Sequence, residues 1–351
     1  MRLREKGLLA ALLAVAVAFG AAPATAAPVG SVPARQALAP GDTDDEGGTK
    51  KLRDQLDAAT KGYVDAKAAL DNSTKRQREL DARLKTIGEE LTVRGQAVGE
   101  LASRAYRTGR IGPIAALLNT SSPEGFLDRT TALGNLAASE DRQLRLLQET
   151  QEQETRARAA VDNEIREQKK QLATMDQRKK QAERALAEAG SGQSSSGVQG
   201  SGSGSGSGSA SAKPAPRNAN GSWPSEGCTI NDPTTSGCIT PRTLHALNQA
   251  KAAGFTRYVS CYRSGGSGEH PKGRACDFAA QKGGFGGVAT GGDRTYGNNL
   301  AAYYVNNASR LGVLYVIWFK QIWLPGSGWK AYRGGGDPSS DHTNHVHLSV
   351  Y

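Results

Sequence analysis

Between Gly47 and Thr108, seam positions return in alternating steps of four and three. They are Leu52, Leu56, Ala59, Tyr63, Ala66, Leu70, Ser73, Gln77, Leu80, Leu84, Ile87 and Leu91, continued by Val98, Leu101 and Ala105. This is the heptad seam of a coiled coil with no proline inside it, and it predicts one long helix. Gly109, Gly112 and Pro113 stop that helix, and a short apolar run, Ile114 to Leu118, follows. Ser122-Pro123-Glu124 then restarts helical pattern, with Ser122 as N-cap and Pro123 at the first helical position. A second seam runs through Leu133, Ala137, Leu144, Leu147, Val161, Ile165, Leu172, Met175, Ala182 and Leu186, weakest across the polar stretch Gln151 to Arg158. Two such helices joined by a short insert at 111–129 predict an all-α antiparallel coiled-coil hairpin over 46–189.

The periodicity ends in a nearly pure Gly/Ser run, Gly190 to Ala212, which Lys213-Pro214-Ala215-Pro216 extends to about Asn220. We read 190–221 as a flexible linker with a reach of roughly 30 Å, so the following domain need not pack on the arm. From 222 onward helices and strands mix. Thr240-Pro241 opens a helix that carries His245 and closes at Gly254, Tyr258 to Tyr262 alternates as a strand, and Asn298 to Arg310 reads as a second helix. Leu314 to Phe319 reads as a buried strand, Gln321 to Leu324 as its hairpin partner and His345 to Val350 as the last strand. The pattern predicts an α+β domain around a small antiparallel sheet. Trp318, Trp323 and Trp329 read as core or rim residues, with a ligand groove as the alternative.

Composition places the chain outside the cell. Arg2, Arg4 and Lys6, an apolar run from Leu8 to Phe19, and Ala24-Thr25-Ala26 form a signal peptide over 1–26. Its apolar run is too short to span a bilayer, so the product is secreted and not membrane-spanning after cleavage. Of the net charge of +10, most lies from Lys213 onward, where fourteen Lys/Arg face seven Asp/Glu. That asymmetry argues against nucleic acid along the whole chain and suits an anionic surface such as a bacterial wall. Cys228, Cys238, Cys261 and Cys276 all fall in the last domain, and an oxidising compartment makes them disulfides. Of three pairings, proximity favours Cys228–Cys238 and Cys261–Cys276.

The candidate chemistry is histidine chemistry. Four of the five histidines sit in two places: His270, seven residues before Asp277, and the closing run that holds His342, His345 and His347. On a strand, side chains alternate, so His345 and His347 share one face while Val346, Leu348 and Val350 take the other. Ala275 and Asp277 likewise share a face, opposite Cys276 and Phe278. A strand with His347 beside one with Asp277, and His270 on the preceding loop, would gather three ligands for a divalent ion. Two imidazoles and one carboxylate suit zinc (Zn2+) with its fourth position open, the catalytic arrangement.

The His-x6-Asp spacing with a distant His-x-His resembles the VanY-type zinc D-Ala-D-Ala carboxypeptidase and endopeptidase families, which share a site plan with lysostaphin-like enzymes. Val259-Ser260-Cys261-Tyr262-Arg263-Ser264-Gly265-Gly266 is similar to the Gly-Tyr-Arg-Ser element of those carboxypeptidases. The resemblance spans about Val259 to His347. It implies zinc ligands at His270, Asp277 and His347, with Arg263 at the scissile carbonyl or a substrate carboxylate. It implies that His345 acts on the water or the intermediate. Where the carboxypeptidases usually place a general-base Glu, three residues before the last ligand, this chain has Asn344. His345 then serves instead, or Asp341 or His342 helps, or activity is weak. Arg104 to Gly109 and Leu117 to Arg129 resemble the coiled-coil arms of secreted peptidoglycan hydrolases, which implies docking to an FtsEX-type membrane complex through the Ile111–Phe126 insert. The expected function is a secreted zinc metallopeptidase acting on peptidoglycan stem peptides, with the arm for docking and regulation. The alternatives are a catalytically inactive, metal-containing wall-binding or regulatory module, and a division-machinery interaction protein.

Overall fold

Capping sets both ends of the hairpin. Thr49 Oγ1 accepts from Leu52 N at 3.2 Å at the start of α1 (Lys50–Thr108). Ser122 Oγ accepts from Gly125 N at 3.1 Å at the start of α2 (Pro123–Glu188), with proline in its first turn. The structure, a computed structural model, describes residues 49–109, 115, 117, 122–191, 208–266 and 268–351. The expected signal peptide, most of the insert and the heart of the Gly/Ser linker lie outside the described residues.

The helices run antiparallel: Leu52 clusters with Leu186, Gly62 faces Arg178, and Ser73 faces Glu164. In α1 the seam is buried at Leu52, Leu56, Ala59, Ala66, Ser73 and Ile87, as its spacing predicts. The α2 seam differs from the expected one, because Leu144 and Leu172 are 47% and 54% exposed while Thr150 and Ala157 are buried. Polar pairing sets the rotation of α2. Glu164 accepts from Ser73 Oγ at 2.6 Å and from Arg76 at 2.8 and 3.0 Å, and Gln168 Nε2 donates to Gln77 Oε1 at 2.6 Å. Bidentate, charge-assisted bonds of this kind fix geometry more sharply than a leucine whose packing alternatives are similar.

In the second domain, β1 (Ile230–Asn231) and β2 (Cys238–Ile239) form a small ribbon before α3 (Pro241–Ala252), which is capped by Thr240. The main sheet comprises β3 (Val259–Ser260), β4 (Ala275–Ala279), β5 (Val313–Trp318), β6 (Gln321–Leu324), β7 (Gly328–Ala331) and β8 (His345–Val350). Its order is β3-β4-β8-β5-β6-β7, antiparallel throughout, with Asp277 and Ile317 both opposite His347. The expected second helix starts earlier and is broken, as α4 (Gly291–Asn306) and α5 (Ala308–Leu311). Asn307 stands at the break, where its amide accepts from Ala212 N and donates to Ala210 O, both at 2.8 Å. The β5–β6 turn holds Phe319 and Lys320 at φ 53° and 61°, the left-handed pair that a two-residue I′ turn requires. Their N–H groups donate to the carbonyls of His342 and Asp341 at 2.8 and 3.0 Å, which ties this turn to the segment before β8.

Strand alternation sorts the sheet into two faces. Cys276, Phe278, Val316, Trp318, Val346, Leu348 and Val350 join the main core with residues of α3, α4 and α5. Trp318 is fully buried there, and Trp323 and Trp329 pack against the same core, so the core reading of the tryptophans holds. On the opposite face, Leu314, Tyr315, Ile317, Ile322, Leu324 and Tyr332 form a cluster with Leu52, Leu56, Ala59, Ala182, Ala185 and Leu186. The base of the arm is therefore seated on the sheet. Asp57 pairs with Arg274 at 3.5 Å and Lys272 at 3.8 Å, and Glu183 pairs with Lys330 at 3.8 Å. The linker reading also changes at its C-terminal end. Ala212 and Ala215 are buried, and Ala215 N donates to Arg310 O at 2.8 Å. Once Gly and Ser give way to Ala and Pro, the chain has apolar surface to bury and fewer backbone states to lose.

The disulfides are Cys228–Cys238 and Cys261–Cys276. Among the described residues, no helix is long and apolar enough to cross a membrane.

Candidate metal centre

The antiparallel register of β4 and β8 sets Asp277 beside His347, and the loop entering β4 brings His270 over them. His347 Nδ1 lies 2.9 Å from Asp277 Oδ1, His270 Nε2 lies 3.2 Å from Asp277 Oδ2, and the two ring nitrogens are 3.3 Å apart. All three residues are buried. Donors about 2.1 Å from a common ion in tetrahedral array sit roughly 3.4 Å apart, so this donor set fits a metal ion closely.

The far side of each ring supports the fit. His270 Nδ1 faces the carbonyl of Cys261, which can only accept, so that nitrogen carries the proton and Nε2 presents its lone pair to the trio. His347 Nε2 bonds to Ser349 Oγ at 2.8 Å, leaving Nδ1 toward Asp277. Such outer bonds orient metal-binding imidazoles. Tyr315, from the face that seats the arm, stacks on His347 with centroids 5.6 Å apart and planes 11° from parallel.

Arg263 and His345 converge on the same carboxylate. Arg263 donates to Asp277 Oδ2 at 2.8 Å, and His345 Nε2 lies 3.4 Å from Asp277 Oδ1. Burial alone would raise the Asp277 pKa, but His270, His345 and Arg263 hold it well below the usual carboxylate range. Burial pushes His345 down to about 4, against the pull of Asp277, so its imidazole is neutral near pH 7. His342 packs beside His345. It is in a turn, at φ 52°, but it is 1% exposed, with its ring 4.7 Å from that of His345. Burial, then repulsion from His345 and His347, depresses its pKa well below the ordinary value. Asp341 instead pairs with Lys320 at 2.9 Å. His245 stands apart, bonded to the Lys213 carbonyl at 2.8 Å.

Several supporting residues escaped the sequence reading. Ser349 was open to detection, since it continues the same-face alternation from His347. Phe285 was not, because it lies on a glycine-rich loop; its ring meets His345 edge-on at 5.4 Å and Tyr258 at 5.3 Å. Tyr258 and Phe285 are exposed, and through these ring contacts they form an aromatic rim beside His345. Asp232 was half visible: Asp-Pro-Thr-Thr is a turn signal, but its target lies thirty residues on. Its carboxylate accepts from Thr234 N and Oγ1, from Thr235 Oγ1, and from Tyr262 N at 2.9 Å. Thr234 Oγ1 in turn accepts from Cys261 N at 3.0 Å. This turn therefore anchors the residues flanking Arg263 and the carbonyl that orients His270, which is why β3 ends at Ser260.

Burial raises the Asp232 pKa, but the bonds from Thr235, Thr234 and Tyr262 outweigh it and leave the group below its ordinary value. A lowered carboxylate stabilises the fold fully above its unfolded pKa and loses that contribution as pH falls through the folded value. Asp232→Asn is expected to cost about 1–3 kcal/mol at pH 7 and less in acid. Denaturant titrations of both chains at pH 7 and pH 3 check this, and an equal cost at both values would contradict it.

The family model described as VldE, C-terminal domain, matches residues 235–343, just under a third of the chain. This is a peptidase-like domain. The matched stretch contains Arg263, His270 and Asp277 and stops short of His345 and His347. No curated protein and no solved structure matches the chain.

Proposed function

We propose that the chain is a secreted zinc-dependent hydrolase that cuts amide bonds in peptidoglycan stem peptides, of the D-Ala-D-Ala carboxypeptidase and endopeptidase type. The observation that carries this reading is the gathering of His270, Asp277 and His347 in one buried cluster, with Arg263 and His345 at the same carboxylate. His270, Asp277 and His347 hold the ion. When bound there, zinc supplies a Lewis acid for the amide carbonyl and acidifies water. Arg263, half-buried at the edge of the cluster, places positive charge where a carbonyl oxygen or a terminal carboxylate lies. His345, neutral near pH 7, accepts a proton at Nε2 and returns it to the leaving amine. The aromatic rim of Tyr258 and Phe285 borders His345 and receives the peptide. Paired cysteines and the basic charge of the second domain support export to an anionic wall.

The arm serves docking in the same reading. Tyr106, Phe126 and Leu127, near the junction of α1 and α2, are 90%, 43% and 64% exposed, and they suit an apolar contact with an FtsEX-type membrane complex. Deleting 111–126 should abolish recruitment, and unchanged recruitment would count against this part.

The central test incubates the full-length secreted chain with peptidoglycan, with and without chelator, beside His347→Ala. Released muropeptides that vanish with chelator and in the variant are expected. Failure of the unmodified chain to bind zinc or release muropeptides would sink the hydrolase reading. Zinc binding without cleavage would leave a metal-containing wall-binding module.

A further inference from the structure

Asn344 stands where the carboxypeptidases that this site resembles carry a general-base carboxylate, and an amide cannot do that work. Its side chain is 2% exposed, with all its main bonding directions engaged. Nδ2 donates to the Gly286 carbonyl at 2.9 Å and to Ser339 Oγ at 3.1 Å. Oδ1 lies 2.7 Å from His345 Nδ1. The Gly286 carbonyl can only accept, so the amide cannot be turned over without setting two acceptor oxygens against each other. Oδ1 is therefore the atom toward His345. Because a carbonyl oxygen also only accepts, His345 Nδ1 must carry the proton. Nε2 is left with a lone pair, on the side of the ring 3.4 Å from Asp277 Oδ1.

We infer that Asn344 is a positioning residue that fixes His345 in its Nδ1–H tautomer, so that Nε2 is the proton acceptor at the metal cluster. The proposal rests on the hydrolase reading for its catalytic meaning and on the bonding geometry for its tautomer. It assigns a use to the departure from the carboxylate pattern. The base moves one residue along the chain, and the vacated position orients it, with Gly286 anchoring the amide. The same anchor fixes the glycine loop that carries Phe285 beside the His345 ring.

The test uses the full-length chain with 15N-labelled histidine, read by nitrogen–proton multiple-bond correlation at pH 7, with the His345 signals assigned by their loss in His345→Gln. The wild type is expected to show the Nδ1–H tautomer at His345. Asn344→Leu, close in size but without an acceptor, should shift it toward Nε2–H. It should also lower kcat for muropeptide release by up to about 10²-fold with KM little changed, the scale of a general base. Asn344→Gln, which keeps both an acceptor oxygen and an N–H for the Gly286 carbonyl, should restore the tautomer. An Nε2–H tautomer in the wild type, or an unchanged tautomer in Asn344→Leu, overturns the inference. If Asn344→Leu does not fold, the wild-type spectrum and Asn344→Gln still decide. A wild-type chain that shows the Nδ1–H tautomer and binds zinc but cuts no peptidoglycan supports this placement while refuting the hydrolase reading.

Discussion

Asp277→Ala is expected to empty the metal centre and weaken the fold at once. Asp277 is the one carboxylate among two imidazole ligands, His345 and Arg263, and it touches all four. Removing an outer partner of a metal ligand typically costs 10–100-fold in affinity, and removing the carboxylate ligand itself costs more than that. The substitution also removes the carboxylate to which the half-buried Arg263 guanidinium donates. Losing a hydrogen bond between charged groups of which one is partly open to water typically costs about 1.5–3 kcal/mol. Asp277→Asn keeps the shape and an acceptor oxygen, so it should lose the metal while losing less stability. Zinc titration and denaturant unfolding of the full-length chain check both parts. Zinc bound as tightly by Asp277→Ala as by the wild type would remove Asp277 from the ligand set. An unchanged unfolding midpoint would show that the pair with Arg263 contributes nothing.

Leu186→Ala is expected to loosen the arm from the sheet. Leu186 is fully buried at the end of α2, in one cluster with Leu52, Leu56, Ile317, Ile322 and Leu324. A leucine truncated in such a place typically costs about 2–5 kcal/mol, the range depending on how far its neighbours close the gap. Because the cluster draws on both the arm and the sheet, the loss should register in both. Amide exchange is the discriminating measurement, with protection expected to fall in β5 and β6 as well as along residues 50–60 and 180–188. Loss confined to the helices would mean that the sheet carries its own face without the arm. The predicted tether has the opposite expectation, namely no effect on the sheet at all.

The parts of the fold that strand and helix periodicity control were legible in the residues themselves. His345-Val346-His347-Leu348-Ser349-Val350 alternates without interruption, so alternation alone divides its side chains between core and cluster. Asp277 and the opposing Cys276 and Phe278 obey the same rule. Ser122-Pro123 announces its helix start because capping is local chemistry. The disulfide pairs follow from short separations.

What stayed hidden depends on partners distant in sequence. Leu52, Leu56 and Leu186 look like ordinary seam residues, and Leu314 and Ile317 look like an ordinary buried strand. Nothing local says that these two apolar surfaces meet. Leu144 and Leu172 misled for the same reason, since Ser73, Arg76 and Gln77 on the other helix decide the rotation of α2. The strand β7 was missed because Gly328-Trp329-Lys330-Ala331 shows no alternation of its own and forms by pairing with β6. The hairpin after Trp318 was expected, but not its turn type, because the two turn residues include neither Asn nor Gly. Its two positive φ values are maintained by carbonyls of residues 341 and 342, which a local reading cannot supply.

The seating of the arm has a mechanical consequence. At about 1.5 Å per residue, the 59 residues of α1 give a beam about 90 Å long, while the seated stretch, from Leu52 in the shared cluster to Asn72 beside Gly221, spans about 30 Å. A sideways load applied near Thr108 therefore acts on the seat with a leverage of roughly threefold. The fulcrum lies on β5, whose Tyr315 rests against the His347 ring, and beside the loop where Asp57 grips Arg274 a few residues from His270. Torque on the far end is delivered to the two strands and the loop that hold His270, Asp277 and His347, so in this molecule that buried trio sits at the pivot of a long lever.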